Sequence, residues 1–162
     1  MSDLEARIAA SFQAQGLMTT LGAQLAHVVT GEVHIAMSNA AYLSQQQGFV
    51  HAGAIGAILD SACGHAALTV APAGADVVTA EYKINLMRPA IGDRFLAVGR
   101  VQNAGRTLTV CSGEVRAFPP GFRCLQGRGP HAIDRGERVP RSVIGRARGP
   151  VRIAAPRQFT AA

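Results

Sequence analysis

The sequence predicts an α+β fold in which one long helix lies against a largely antiparallel sheet. Ala52–Val70 is a long apolar segment whose Ile55, Ile58, Leu59, Ala62, Ala66 and Val70 fall on one helical face. Strand-like stretches with glycine-bearing turns stand on both sides of it. Val78–Leu86 alternates, with Val78, Ala80, Tyr82, Ile84 and Leu86 on one side and Thr79, Glu81, Lys83 and Asn85 on the other.

In chain order, Asp3–Gln15 reads as a short helix. Ser2 caps it, Glu5 completes a capping box, and Leu4, Ile8 and Phe12 recur at helical spacing. Gly16 stops it. Residues 21–30 and 32–38 read as two strands about Gly31. Gln45–His51 is a polar loop leading into the long helix, whose Ala and Gly content makes it thin enough to lie close to a sheet. No run approaches the ~20 apolar residues of a membrane span, and Asp60 and His65 sit within the helix, so a core helix is expected. After Val78–Leu86, the residues Pro89, Gly92 and Asp93 mark a turn. Arg94–Val101 reads as a strand, Asn103–Gly105 as a hairpin turn and Arg106–Ala117 as a further strand.

The 162 residues divide at position 117. Residues 1–117 hold seven cations against eight anions, whereas 118–162 hold nine arginines against Asp134 and Glu137. The net charge of +6 therefore belongs to the C-terminal segment. That segment is rich in Arg, Gly and Pro without sustained periodicity and is expected to be loop or disordered. Pro119–Pro120 end the preceding strand, Arg123–His131 offers at most a short edge strand weakened by Pro130 and its glycines, and the switch to arginine without lysine resembles translation of a GC-rich gene in a shifted frame. An Arg-rich arm is one way to bind RNA, but aromatic interleaving is missing, so nucleic acid is not an expected partner.

Cys63, Cys111 and Cys124 are odd in number and show no repeated spacing, which argues against a disulfide framework or a zinc site. No secretory leader pattern stands at the N-terminus, so the expectation is a reduced, cytoplasmic protein without a membrane partner.

Chemistry concentrates at Gln45–Gly53 and at Asp60. A helix N-terminus offers free N–H groups that can polarise a carbonyl, and the small residues Ala52 and Gly53 let a ligand approach them. Asp60 is the only charge in the apolar helix, and Gly53, Gly56, Ala57, Cys63, Gly64 and Ala67 leave room before it for work as a nucleophile or general base. A solvated helix aspartate accounts for the same residue. His51 reads as a hydrogen-bonding brace, and no Asp or Glu stands at ligand spacing from it, so no metal is expected. Cys63 reads as a small buried residue. A P-loop is absent, and neither Ser61 nor Ser112 lies in a nucleophile elbow.

Gln45, His51–Ala52–Gly53, Asp60 on the following helix, and the strand ending Leu86–Asp93 together resemble the hotdog-fold acyl-CoA thioesterases of the PaaI type. The resemblance covers residues 10–117 and makes 1–117 a hotdog thioesterase domain. It implies a sheet wrapped around a central helix, and homodimers or homotetramers with active sites between subunits. The activity it implies is hydrolysis of acyl-CoA, with medium-chain or aromatic acyl groups, without metal or organic cofactor. By position, Gln45 would orient substrate or water, the Ala52 N–H would polarise the thioester, and Asp60 would act as nucleophile or base. Thr79 would hold the attacking water, and His51, Gly53 and Gly56 would border the substrate. The acyl pocket is expected to be lined by small and aliphatic residues. The alternative is a non-catalytic hotdog protein that binds acyl-CoA or only oligomerises.

Overall fold

A computed structural model describes residues 2–119 and 121–134. Helix α1 (Asp3–Gln13) begins with the expected capping box: Glu5 N–H donates to the Ser2 hydroxyl, and Ser2 N–H donates to the Glu5 carboxylate. Gly16 does not end the helical region, because a short α2 (Gly16–Thr20) starts there and shortens the next strand. Strands β1 (Gln24–Val29) and β2 (Glu32–Ser38) pair antiparallel about a left-handed Gly31. A short 3-10 helix, Ala41–Leu43, precedes the polar loop, and α3 occupies Ala52–Val70 as expected.

By length and composition alone, α3 is long and apolar enough to cross a membrane, contrary to the sequence expectation. Its surroundings give the other reason for its apolarity, because Ile55, Ile58, Leu59, Ala62, Ala66 and Leu68 are buried within the fold. The sheet that covers them runs β1-β2-β5-β6-β7-β3, with β4 also paired to β7, and these pairings are all antiparallel. Strand β5 (Arg94–Ala104) is longer than expected, and β6 (Leu108–Phe118) starts two residues later and ends one residue later than expected. Their hairpin turns at Arg106–Thr107, closed by Gly105 N–H donating to the Leu108 carbonyl at 3.0 Å, not at Asn103–Gly105.

Gly99, Gly113 and Gly127 lie side by side across β5, β6 and β7. A Cβ at Gly99 would overlap the backbone of Ala62 and Cys63, and one at Gly113 would come within 2.7 Å of Leu59. The glycine rung is thus what lets the thin helix sit directly on the sheet.

Two expectations are corrected. First, Val78–Leu86 is not one strand. β3 (Asp76–Thr79) and β4 (Lys83–Leu86) are separate, and their registers on β7 differ by one residue. Such a bulge reverses which residues face inward. Val78 is therefore exposed, whereas Val77, Thr79 and, beyond the bulge, Ile84 are partly buried against the helix side.

Second, the fold does not end at residue 117. Arg123–Asp134 forms β7, an interior strand between β6 and the β3/β4 edge. Its Gly and Pro residues are tolerated for local reasons. A Cβ at Gly129 would collide with the Glu81 carbonyl in the bulge. The Pro130 carbonyl accepts from Ala80 N–H at 3.2 Å, so the donor that proline lacks falls at that same interruption of the ladder. The remainder of the expected irregular tail, 135–162, lies outside the described residues.

Candidate active site

The polar loop and α3 meet at His51. Its backbone is extended at the N-cap, and its Nδ1 accepts from Gly53 N–H at 2.8 Å. The brace expected of His51 is thus a helix cap. Gly53 is small because a Cβ there would stand 3.0 Å from His51 Nδ1. The N–H of the first helical residue, Ala52, stays free at the helix start, while Ala54 and Ile55 N–H bond back to the His51 carbonyl. Ala52 has a negative φ, so the side chain in place of glycine brings no backbone strain.

Gln45, His51 and Ala52 line one cleft with Phe49, Ile55 and Leu86, which continues along Met87–Ala90. The Gln45 side-chain oxygen accepts from Gln47 N–H, and its amide nitrogen donates to the Gln47 side-chain oxygen at 3.3 Å. Gln45 therefore rests on its own loop. Gly56 faces Ile84 of β4, and a Cβ added there would stand 3.4 Å from the Ile84 Cδ1, an ordinary close contact. It packs the strand rather than opening into the cleft.

Asp60 lies two helical turns on, about 12 Å along the axis from Ala52. Its side chain is 35% exposed, and Oδ1 accepts from the Thr79 hydroxyl at 2.9 Å. Within one chain, Asp60 and Thr79 border a different cavity from the Gln45–Ala52 cleft. Gly53 and Asp60 do share a smaller pocket with Leu17, Met18 and Tyr82.

His131 is a site residue that the sequence pattern does not single out. It stands opposite Thr79 on β7, is 1% exposed, and places Nε2 3.9 Å from Asp60 Oδ1. Burial pushes its pKa down, opposed by the Asp60 charge. The register of β7 on β3 is the signal that finds it, and the residues of that strand look irregular in sequence. His65 on α3 lines the same cavity, and burial also lowers its pKa. Cys63 is a poor nucleophile here, because burial raises its thiol pKa far above the ordinary value. Among the described residues, no three His, Cys, Asp or Glu side chains gather as a metal site.

The thioesterase superfamily model matches residues 47–122, from the polar loop to just past β6. No curated protein matches. Among solved structures, a thioesterase family protein from Silicibacter pomeroyi is 36% identical, with 80% of this chain and 97% of that chain covered and a TM-score of 0.78. A conserved protein from Pseudomonas aeruginosa is 26% identical, with 77% of this chain and 98% of that chain covered and a TM-score of 0.71. The E. coli PaaI protein from the phenylacetic acid degradation operon is 18% identical, with 80% and 91% covered and a TM-score of 0.73, and speaks for the fold alone. The curled antiparallel sheet, the central helix and these matches make the chain a member of the thioesterase superfamily, of the PaaI-type hotdog architecture.

Proposed function

We propose that this thioesterase hydrolyses acyl-CoA, with medium-chain or aromatic acyl groups, at a site completed by a second copy of the chain. The observation that carries the reading is the division of labour along α3. A free N–H at Ala52 opens into one cleft, and a half-buried carboxylate at Asp60 opens into another.

The two groups sit too far apart along one helix to act on one carbonyl. The β3/β4 edge supports a way to join them. Exposed Tyr82 borders the Asp60 side, and exposed Leu86 borders the Ala52 cleft. A two-fold antiparallel pairing of this edge would lay the Leu86 end of one chain against the Tyr82 end of the other. A homodimer, or a homotetramer of such dimers, follows from this reading.

In the reaction, the thioester oxygen accepts from Ala52 N–H, which stabilises the oxyanion as it forms. Gln45 turns from Gln47 to orient the substrate or water. Asp60 of the partner subunit either takes a proton from the water whose oxygen bonds the acyl carbon, or bonds that carbon itself to give an acyl-aspartyl anhydride that water then hydrolyses; in both, the C–S bond breaks and the CoA thiolate leaves, taking up a proton. Thr79 holds Asp60 in place and sits where it can also meet the attacking water. No residue in this scheme calls for a metal or organic cofactor. Buried, free cysteines suit a reducing compartment, so we place the enzyme in the cytoplasm.

Hydrolysis of an acyl-CoA panel by the full chain tests the reading. Asp60→Asn should lower kcat by ~100-fold or more with the fold intact. Undiminished turnover by Asp60→Asn, or no turnover of any acyl-CoA by the parent chain, overturns it. The second result would favour the non-catalytic alternative.

A further inference from the structure

The outer face of the sheet, away from α3, carries a cluster of side chains with ligand chemistry of its own. It arises from the register of β1 on β2. Leu25 pairs with Ile35 and His27 with His34, so Ala26 is an extra residue, a bulge on the edge strand. Leu25 and Val28 both pack on the core, three residues apart where an unbroken strand would put them two apart. The bulge thereby turns His27 to the outer face, the face of His34, whose neighbours Val33 and Ile35 point into the core. The two imidazole centroids stand 4.9 Å apart, with the rings inclined by 53°.

His34 is held in place from behind. Its Nε2 donates to the Glu32 carboxylate at 2.5 Å, and Arg100 on β5 grips the same carboxylate through Nε at 2.8 Å and an Nη at 3.1 Å. The His34 hydrogen bond, reinforced by Arg100, holds the Glu32 carboxyl below its usual range despite partial burial, so the acceptor stays ionised. Nε2 therefore carries the hydrogen of the neutral His34 ring, and Nδ1 is left as a lone pair. His27 is exposed and, among the described residues, its ring contacts His34 without a hydrogen bond of its own.

An ionised carboxylate on the far nitrogen of an imidazole is the arrangement that orients a metal-ligating histidine and raises its basicity. The spacing fits as well. Two imidazoles bound to one tetrahedral ion at ~2.0–2.1 Å bring their ring centroids to about 5 Å from each other. Imidazole ligands select zinc, nickel or copper, whereas magnesium and calcium take oxygen. Two protein ligands leave the other coordination positions to water, which makes an open, exchangeable site and not a closed structural one.

We propose that His27 and His34 form a two-imidazole chelate for a divalent transition-metal ion such as Zn2+ or Ni2+, with Glu32 and Arg100 positioning His34. The site lies on the face of the sheet opposite α3 and Asp60, and is independent of thioester hydrolysis. An ion there clamps β1, the outermost strand of its edge, to β2 across the bulge.

Calorimetric titration of the full chain, stripped with EDTA, against NiCl2, ZnCl2 and MgCl2 tests it. One Ni2+ or Zn2+ per chain should bind at micromolar metal, and Mg2+ should give no signal. His27→Ala and His34→Ala should each weaken binding by about 100-fold, the gain that a second ligand on the same scaffold confers. Glu32→Gln should weaken it by about tenfold. Ni2+ should raise the Tm of the parent chain and leave that of His27→Ala where it was. Melts in EDTA establish that each variant is folded, and His34→Gln replaces His34→Ala if the latter is not. Absence of binding by both ions overturns the inference. So does affinity kept in both histidine variants, which would place the ion at His51, the other exposed histidine, whose Nδ1 caps α3. Loss in only one of the two variants overturns it too, since a single imidazole would then account for the binding. Full affinity in Glu32→Gln overturns the positioning of His34 on which the geometry rests.

Discussion

The Thr79 hydroxyl donates to Asp60 Oδ1 at 2.9 Å, tying the β3 edge to the middle of α3. This bond exists because the bulge at Ala80–Tyr82 turns Thr79 inward while Val78 faces solvent. The carboxylate is thereby held in one orientation by a neighbour that is itself fixed in a ladder.

Thr79→Val keeps the shape of the side chain and removes the donor. A hydrogen bond to a charged group is worth ~1.5–3 kcal/mol when buried, and Asp60 is one-third exposed, so the lower end applies. A loss of about tenfold in kcat, with little change in KM, is the expected outcome. Steady-state kinetics with Thr79→Val and Thr79→Ser would check it, and Thr79→Ser should recover most of the rate. Full activity in Thr79→Val would show that Asp60 needs no such hold.

Gly53→Ala addresses the other end of the site. The new Cβ would press on the His51 ring at 3.0 Å from Nδ1 and 3.3 Å from Cε1. The ring would have to give up the Gly53 N–H, and loss of an N-cap costs about 0.5–2 kcal/mol. Both Tm and kcat should fall together. A drop in kcat alone would mean that the cap survives and only access to the helix N-terminus is blocked.

Much of this architecture is legible in the residues. Helix α3 can be read to its ends, because its apolar periodicity runs from the polar loop to Pro72 without interruption. Gln45, His51, Ala52 and Asp60 are readable as a motif, since their order and spacing survive without any contact being known. What cannot be read is set by partners distant in sequence. The alternation of Val78–Leu86 puts Thr79 and Ile84 on opposite sides, whereas both turn toward the helix, because a one-residue shift in pairing with β7 is invisible in the strand itself. β7 reads as no more than a weak edge strand, not the interior strand it is, since Gly127, Gly129 and Pro130 look like strand breakers. Each is explained only by what lies across from it: Leu59 above Gly127, and the bulge beside Gly129 and Pro130. His131 is hidden along with that strand.

The glycine rung under α3 carries its own prediction. In Gly99→Ala the added methyl meets the backbone of Ala62 and Cys63, which cannot rotate away as a side chain would. Overpacking of this kind costs about 1–3 kcal/mol or more. Gly99→Ala should lower Tm by several degrees. Gly16→Ala is the control: nothing lies within 4 Å of its Cβ position, and its stability should hold or rise slightly. Equal behaviour of the two variants in thermal melts would mean that the helix does not sit as tightly on the sheet as described.

Stability should also depend on pH through the buried histidines. His65 and His131 both have pKa values lowered chiefly by burial, so the folded state resists protonating them. His65 packs edge-on to Phe12 of α1 and feels Asp76, while His131 feels Asp60 of α3. In the unfolded chain both titrate near pH ~6.5. Below that value the unfolded state binds more protons than the folded one, so stability falls as pH falls. The loss continues until the lowered folded-state values are reached and then levels off. Each histidine contributes at most about 1.4 kcal/mol per pH unit in that window. Urea unfolding followed downward from neutral pH should therefore show declining stability below about pH 6.5. His65→Phe, which keeps an aromatic ring against Phe12 and removes the titrating nitrogen, should flatten that slope relative to the parent chain. An unchanged slope in His65→Phe would assign the acid sensitivity to other groups.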